Sequence, residues 1–323
     1  MFHGNVSLEI AEGLKTLRKR IEAAKIPPSK LDETLNIATW NIREFGKKRR
    51  TQAAIHYIAE ILGQFDLIGV VELRDNLSDL QRVLPILGPY WDVVYSDAVR
   101  DQGGNYERIC YLFDTRAVVF NGLAAEPSPP RSKRGSEYLT DQSWWRSPYL
   151  ASFKSGNFDF LAFTTHVRWG DTEAARLKEI ESLAAWIGAK SKEKTAEDKD
   201  IIVMGDFNIP TRDSPMLKAL LECGLKIPTA LAKDEFGSNL ARDKRYDQML
   251  HFTQFTESFT NAGGVLDFYA GDHRPLFPAD TYPDMDKDAF TYQLSDHLPL
   301  WMQINTDIDG QVLDALIQRK RQG

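Results

Sequence analysis

The chain has 323 residues, of which 42% are hydrophobic and 27% charged, and its formal net charge is -6 at pH 7. This composition is typical of a globular protein with a sizeable core and argues against intrinsic disorder. No run of about 18 or more apolar residues is present, and the first residues lack the pattern of a secretory signal, so we expect no membrane span and a soluble, cytoplasmic protein.

Predicted helices and strands alternate along much of the chain. Apolar periodicity, Pro-Pro and Gly-rich breaks and candidate caps define them. In chain order they are a helix at 7–24, a strand at 35–40, a helix at 53–62, a strand at 66–71, several strands within 91–120 with turns at Gly103-Gly104 and Asp114, two strands within 149–165, a helix at 172–187 with Asp171 or Thr172 as N-cap, a strand at 201–204, a helix at 214–222 and a strand at 300–304.

This order predicts an α/β fold in which two mixed sheets pack together under outer helices. Residues 1–34 form an N-terminal helical appendage, 35–308 the main domain and 309–323 a short C-terminal helix or tail. The stretches 126–146 and 263–292 lack periodicity and are rich in Pro, Gly, Asp and aromatic residues. Long irregular loops in compact domains are usually functional or disordered, and both stretches end at a polar motif or a basic residue, so we expect both to face the substrate rather than to mark a domain boundary.

Charge and cysteine content narrow the chemistry. Cys110 and Cys223 are too few for a disulfide framework, and neither has the setting of a thiolate metal site. The negative net charge by itself argues against a polyanionic substrate, but a bound divalent cation cancels the local field of the carboxylates that hold it. The basic cluster of Arg43 and residues 47–50 is either a solvated loop and helix start or a phosphate contact.

Five short polar motifs follow apolar runs. They are Thr39-Trp40-Asn41, Val71-Glu72-Leu73-Arg74, Thr165-His166, Gly205-Asp206-Phe207-Asn208 and Ser295-Asp296-His297. Reactive groups tend to lie on loops at the ends of a rigid scaffold, and this combination of carboxylates, imidazoles and amides fits a metal-dependent phosphoester hydrolase. We therefore expect the five motifs to converge at one end of the fold.

The carboxylates and amides among these motifs have distinct candidate roles. Glu72 closes a buried apolar run, where an unpaired carboxylate would be costly, so it is the best candidate ligand for Mg²⁺, and Asn41 can add a neutral oxygen. Asp206 and Asn208 lie two residues apart and face the same side, where the acid can orient water and the amide can hold phosphate.

The two histidines need partners, since an isolated histidine is more often structural. A carboxylate on one ring nitrogen fixes the tautomer that leaves the other nitrogen ready to act on phosphate or water. Glu107 and Asp247, each placed before an apolar stretch, are available as partners for His166 and His297.

The ordered set of motifs resembles the endonuclease/exonuclease/phosphatase superfamily over about residues 35–305, and within it the deoxyribonuclease I branch, through Glu72-Leu73-Arg74-Asp75, Glu107-Arg108 and Trp145-Arg146-Ser147-Pro148. The resemblance implies a four-layered α/β sandwich. It also implies metal binding by Asn41, Glu72 and Asp296, and catalysis by Glu107, His166, Asp206, Asp247 and His297. Substrate binding is implied for Arg74, Arg146 and Asn208. The branch has a further DNA-contacting tyrosine, whose place is taken by Asn105 if judged from spacing and by Tyr106 if judged from chemistry.

These observations predict a Mg²⁺-dependent nuclease, with Mn²⁺ or Ca²⁺ as substitutes, acting on DNA rather than RNA and with little sequence specificity. The alternatives are a phosphatase or phosphodiesterase acting on a lipid headgroup or small phosphoester, and a non-catalytic binding module. Trp144, Trp145 and Trp169 either stack on bases or pack in the core. The N-terminal helix either docks a protein partner or packs on its own domain.

Overall fold

The computed structural model describes residues 1–100, 106–129, 132–139, 144–170, 172–193, 198, 200–232, 237–253 and 259–322. The helices within these ranges are α1 (Leu8–Ala23), α2 (Gln52–Leu62), α3 (Ser78–Leu87), α4 (Glu173–Lys190), α5 (Pro215–Glu222), α6 (Lys287–Gln293) and α7 (Asp309–Gln322). The strands are β1 (Thr34–Phe45), β2 (Leu67–Leu73), β3 (Trp91–Tyr95), β4 (Val99–Arg100), β5 (Tyr106–Asp114), β6 (Val119–Ala125), β7 (Ser132–Arg134), β8 (Glu137–Leu139), β9 (Tyr149–Ser155), β10 (Phe158–His166), β11 (Ile201–Asp206), β12 (Asp247–Phe252), β13 (Phe259–Val265) and β14 (Leu300–Asn305).

Two mixed sheets form the centre of the fold. The first has the strand order β13-β14-β1-β2-β5-β3, with β4 also paired to β5, and the second has the order β12-β11-β10-β9-β6. In each sheet the central pair is parallel, β1 with β2 and β10 with β11, and the other neighbouring pairs are antiparallel. The carboxyl ends of both parallel pairs carry the polar motifs, because β1 reaches Asn41, β2 reaches Glu72, and His166 pairs with Asp206 across β10 and β11.

The sheets pack closely face to face. At Gly69 in β2, an added methyl group would lie 2.8 Å from Thr164 Oγ1 and 3.0 Å from Met204 Sδ, both on the opposite sheet. Glycine therefore allows the central strands of the two sheets to approach each other. Helices α1 to α3 cover the outer face of the first sheet, and α4 and α5 pack on the second. This arrangement confirms the predicted four-layered α/β sandwich.

The N-terminal helix is part of the packed structure. Its apolar residues Ile10, Leu14, Leu17 and Ile21 recur at helical spacing and are buried in the same core cluster as α2. The Arg20 guanidinium donates hydrogen bonds to the carbonyls of 268, 269 and 272, which ties the last turn of α1 to the chain after β13. The apolar face that was a candidate for docking a partner is thus covered by the protein's own domain.

Most predicted elements are present, and several have longer bounds than predicted. The strand predicted at 201–204 extends to Asp206, and the helix predicted from 172 begins after Thr172, whose hydroxyl accepts a hydrogen bond from the Ala175 N–H as an N-cap. The predicted turn at Gly103-Gly104 and the alternative cap Asp171 lie outside the described residues. Both cysteines are free, and Cys110 is buried in β5.

The two predicted substrate-facing loops differ from expectation. Residues 126–146 include the hairpin of β7 and β8 rather than irregular chain alone. In 263–292 the side chains of Phe268, Leu276, Phe277 and Phe290 are buried in the core, so the apolar side chains of this segment help to fill the interior while many of its polar residues are exposed. Its apolar residues follow no helical or strand period, and periodicity therefore gave no sign of their burial. No helix in the described ranges is long and apolar enough to cross a membrane.

Candidate functional site

A cleft of about 460 Å³ lies at the carboxyl ends of the two parallel strand pairs. Ten of the twelve predicted site residues line it: Asn41, Glu72, Arg74, Glu107, Arg146, His166, Asp206, Asn208, Asp296 and His297. Asp247 lies behind His297, as described below, and Tyr106 does not line the cleft. The structure therefore brings the five sequence motifs together at one end of the sandwich.

Irregular backbone shapes the floor of this cleft. The β1–β2 pairing shifts register between Asn41 and Phe45, and Glu44 and Glu72 have φ of 47° and 64°. Asn208, after β11, has φ of 52°. Left-handed backbone at non-glycine residues costs about 1–3 kcal/mol each and is concentrated at functional sites. Here it turns the Glu72 carboxylate so that Oε2 accepts a hydrogen bond from the Glu44 N–H at 2.7 Å.

Asn41 lies at the centre of the site. Its Nδ2 donates to Glu72 Oε1 at 3.0 Å and to Asp206 Oδ2 at 3.1 Å, while the Ser295 hydroxyl donates to its backbone carbonyl at 2.6 Å. The remaining side-chain oxygen, Asn41 Oδ1, is buried and has no hydrogen-bond partner.

This centre matches the needs of a hard divalent cation. An orphaned amide oxygen is unusual in a buried position and lies beside two carboxylates, with Asp296 on the wall of the same cleft. Mg²⁺ prefers oxygen ligands, usually one or two carboxylates together with waters and substrate phosphate. The residues present therefore fit the predicted metal, with Asn41, Glu72 and Asp296 as candidate ligands.

The first imidazole is paired with Glu107. His166 Nδ1 donates to Glu107 Oε2 at 2.9 Å, and the same carboxylate lies 2.8 Å from Arg146 Nε and 3.4 Å from Arg74 Nη1. Burial favours the neutral acid, but His166, Arg146 and Arg74 together hold the pKa of Glu107 below its usual value. Burial and Arg146 act to lower the pKa of His166, and Glu107 and Asp206 outweigh them, so this pKa is raised.

The second imidazole has the same design. His297 Nδ1 donates to Asp247 Oδ2 at 2.7 Å, and Asp247 is only 3% exposed. Trp40 Nε1 donates to the His297 carbonyl at 2.8 Å, and the Ser295 hydroxyl accepts the His297 N–H at 3.0 Å, which fixes the backbone of this residue. Burial opposes a charge on the ring, yet the carboxylates of Asp247 and Asp206 raise the pKa of His297 well above its ordinary value.

The free nitrogens of both imidazoles point at one carboxylate oxygen. Asp206 Oδ2 lies 3.7 Å from His166 Nε2 and 3.8 Å from His297 Nε2, and Glu72 Oε1 lies 3.9 Å from His166 Nε2. These separations exceed a direct hydrogen bond, so a water molecule or a phosphoryl oxygen can be shared among these groups. The arrangement can hold and move protons around a small oxyanion.

A second group of ligand-type atoms overlaps this region. Atoms of Asp206, Asp247 and His297 lie within 4.8 Å of one another and by spacing alone could hold a metal ion. However, Asp247 Oδ2 and His297 Nδ1 already satisfy each other at 2.7 Å, and they would have to separate before these two atoms could bind a metal ion. We therefore favour the oxygen-only set around Asn41 and treat Asp247 as the residue that orients His297.

The residues predicted to bind substrate differ in their positions and in the partners of their side chains. Arg74 is buried and lies 3.2 Å from Glu44 Oε1 as well as near Glu107, so its charge is shared with the acids of the site. The Asn208 Nδ2 donates to the Val167 carbonyl at 2.7 Å, which commits one of its two hydrogens to the backbone. Tyr106 is 44% exposed on β5, and its alternative, Asn105, lies outside the described residues.

The basic cluster of Arg43 and residues 47–50 was interpreted either as a solvated loop and helix start or as a phosphate contact, and its members differ in position. Arg50 is buried and donates to the carbonyls of Arg43 and Gln293, so its role is structural. Arg43 lines the cleft and lies over the ring of Tyr292, with its carbon Cζ 3.8 Å from the ring centroid. The cluster therefore contributes one cation to the cleft wall through Arg43.

Sequence reasoning missed three residues of the cleft wall: Glu44, Tyr246 and Tyr292. Tyr246 precedes the predicted acid Asp247, and Glu44 follows Asn41 closely, so proximity to a predicted site residue was an available signal for both. Tyr292 lies in the segment predicted to be an irregular loop, where nothing distinguishes it from the aromatic residues that pack the core. Of the three tryptophans that the sequence offers for base stacking, Trp169 lines the cleft.

Comparison with known proteins identifies a family and a sequence relative of this chain. The profile described as "Endonuclease/Exonuclease/phosphatase family" matches residues 38–297. A deoxyribonuclease from Thioalkalivibrio sp. (strain K90mix) is 31% identical over 198 residues, which are 57% of this chain and 48% of that protein, so the match spans about half the length of the relative.

Solved structures share the fold at low sequence identity. D. rerio TDP2, solved with a single-stranded DNA product, has a TM-score of 0.56 at 16% identity, with 84% of this chain and 99% of that one covered. The mannosyl-6-phosphatase Bt3783 of Bacteroides thetaiotaomicron VPI-5482 has a TM-score of 0.52 at 15% identity, covering 84% and 99%. The chain thus belongs to the endonuclease/exonuclease/phosphatase family, whose members hydrolyse phosphoester bonds and generally depend on a divalent metal ion.

Proposed function

We propose that this protein is a Mg²⁺-dependent nuclease that hydrolyses DNA phosphodiester bonds with little sequence specificity. The observation that carries the proposal is the convergence of two carboxylate-bound imidazoles, through Nε2 of His166 and of His297, on Asp206 Oδ2 at 3.7 and 3.8 Å. Phosphodiester hydrolysis needs a positioned water, donors for the phosphoryl oxygens and a proton for the leaving oxygen, and these groups supply all three.

Each residue has a defined task in this scheme. Asp206 is the acceptor beside the attacking water, and the Asn208 N–H holds its other oxygen at 2.9 Å. His297, fixed by Asp247, donates from Nε2 to a phosphoryl oxygen, and His166, fixed by Glu107, lies within reach of the same space. Asn41, Glu72 and Asp296 would hold Mg²⁺, which neutralises the charge that develops on the phosphoryl group.

Substrate class is supported by the cations of the cleft and by the named relative. Arg43, Arg74 and Arg146 line the wall, and guanidinium groups suit bidentate contacts to phosphate. Contacts of this kind carry no base information, so little sequence specificity is expected. The 31% identical relative is named a deoxyribonuclease, which favours DNA over RNA for this chain.

The proposal is tested by incubating the purified protein with supercoiled plasmid, linear DNA and RNA, with Mg²⁺, Mn²⁺, Ca²⁺ or EDTA. We expect metal-dependent nicking that His166→Ala abolishes and that His251→Gln, a change of a buried histidine outside the cleft, retains. Nicking by His166→Ala at the wild-type rate would refute the assignment. Turnover of p-nitrophenyl phosphate or a lipid headgroup without cleavage of any nucleic acid would support the small-phosphoester alternative instead.

A further inference from the structure

The three tryptophans near the cleft have different environments. Trp144 is buried and donates from Nε1 to the Ser182 hydroxyl at 3.1 Å, and the Arg168 guanidinium lies 3.8 Å from the ring centroid of Trp145. Trp169 is 54% exposed and lines the same cleft as the two imidazoles. Of the three, Trp169 is therefore the one with an indole surface open to the site.

The exposed indole is held in place rather than left free. Arg176 is buried, its guanidinium lies 4.4 Å from the Trp169 ring centroid, and it also donates a short hydrogen bond to the Trp169 carbonyl. The Tyr246 ring meets the indole edge to face, at 5.5 Å and 89°, and lies 5.8 Å from the His297 ring. A continuous row of rings thus connects the imidazole that faces the reacting phosphate to an indole at the rim.

Charges and rings also alternate on another part of the wall. The Tyr292 ring lines the cleft and is flanked by Arg43 at 3.8 Å and Lys48 at 4.6 Å. Proteins that bind single-stranded nucleic acid combine cations that follow the backbone with aromatic side chains on which bases stack. In a duplex the base faces are already stacked on their neighbours, so a fixed indole can gain a base only where the base is unpaired.

We propose that Trp169 is a base-stacking residue, and that the cleft takes phosphodiesters next to an unpaired nucleotide, as in single-stranded DNA or a frayed end. This inference rests on the proposed nuclease function and specifies its substrate. Trp169 strengthens substrate binding and positions the strand, because it places the neighbouring base so that the phosphodiester meets Nε2 of His166 and of His297.

A double-mutant cycle between the indole and the base tests this inference. Wild type and Trp169→Ala are each assayed with Mg²⁺ on single-stranded hexathymidylate and on a hexamer of the same length built only from abasic tetrahydrofuran units. All phosphodiesters within each oligomer are flanked alike, so the cut position does not affect the comparison. We expect the wild-type kcat/KM to favour hexathymidylate by roughly 5- to 150-fold, the range for stacking of one base.

The variant defines the outcome. In Trp169→Ala most of this preference should disappear, and Trp169→Phe should restore it in part, because a smaller aromatic ring still stacks. Tyr90→Ala is a matched control: Tyr90 is 53% exposed and lies under Arg116 at 4.7 Å, but it adjoins the far ends of β3 and β5 and should keep the wild-type preference. Thermal unfolding midpoints of all variants show whether each one folds.

Three results would each overturn the inference while leaving nuclease activity intact. The first is a wild-type kcat/KM ratio near one between hexathymidylate and the abasic hexamer, and the second is the same ratio in Trp169→Ala as in wild type. The third is faster cleavage of a 20-base-pair duplex than of its single strand. Absence of any cleavage by wild type would instead refute the proposed function. In that case, quenching of indole fluorescence by hexathymidylate, lost in Trp169→Ala and not produced by the abasic hexamer, still decides whether the stacking site exists.

Discussion

The Asp247→Asn substitution tests the chemistry of the second imidazole most directly. Asp247 Oδ2 accepts the Nδ1–H of His297 at 2.7 Å, which leaves Nε2 as the nitrogen that faces Asp206. An amide of nearly the same volume keeps the packing but can donate its own N–H to Nδ1. The ring then keeps a proton on Nε2 but loses the carboxylate that stabilises its charged form, so the protonated ring that donates to a phosphoryl oxygen is less populated.

The size of the effect follows from this geometry. A hydrogen bond to a charged partner contributes about 1.5–3 kcal/mol, which alone corresponds to roughly 10- to 150-fold in rate if it acts in the transition state. A carboxylate-to-amide change behind a catalytic histidine can cost about 10⁴-fold. Because the His166–Glu107 pair stays intact, we expect kcat to fall by about 10² to 10⁴-fold with a small change in KM.

Initial rates of plasmid nicking at saturating Mg²⁺ measure this loss. Asp66→Asn is the matched control, because the Asp66 carboxylate accepts hydrogen bonds from the Asn36 N–H and the Ser29 hydroxyl at the opposite end of β2. It should lower stability without lowering kcat of the folded protein. Wild-type turnover by Asp247→Asn, within about threefold, would show that the dyad does not orient a catalytic imidazole.

Three further predictions concern phosphate binding, metal and pH. Arg146→Lys retains a positive charge but loses the planar guanidinium that lies 2.8 Å from Glu107, so kcat/KM on DNA should fall at least about 10-fold in steady-state assays, and an unchanged value would contradict a phosphate-binding role. Glu72→Gln should raise the Mg²⁺ concentration for half-maximal nicking by about 10- to 100-fold, whereas an unaltered metal titration would exclude Glu72 as a ligand. Burial lowers the pKa of His56 and of His251 to about 4, so both rings are neutral in the fold and the unfolded chain binds more protons below pH 6.5. Each histidine should therefore lower the free energy of unfolding by about 2–3 kcal/mol between pH 7 and 4.5. In urea titrations, the His56→Gln/His251→Gln variant should lose less of its free energy of unfolding over this pH range than wild type does.

Much of the architecture could be predicted because the strands at the sheet centres are short apolar runs ended by polar residues. The runs before Asn41, Glu72 and Asp206 each became a central strand, and parallel pairing then placed their ends together. Segment 263–292 could not be predicted in this way. Its aromatic residues fill space between α1, α2 and α6 through tertiary contacts that have no counterpart in local spacing.

Within the site, the functional residues were easier to predict than the hydrogen bonds and ion pairs that their side chains form. The pairing of His166 with Glu107 and of His297 with Asp247 is confirmed by the short distances between them. The sequence does not show that Arg74 shares its charge with Glu44, because the bulge that brings Glu44 inward is a property of the β1–β2 register. Nor does the sequence distinguish exposed Trp169 from buried Trp144, since exposure depends on how α4 lies against the strands.

The left-handed backbone of Glu72 has a consequence for attempts to make this scaffold more robust. Glycine adopts φ near 64° without steric cost, so replacing Glu72 with glycine would relieve about 1 kcal/mol or more of local strain while deleting the carboxylate that we propose binds the cation. Heat resistance and turnover therefore compete at this position. A library screened only for survival after heating would enrich inactive sequences, and directed evolution of this enzyme has to select on catalysis in every round.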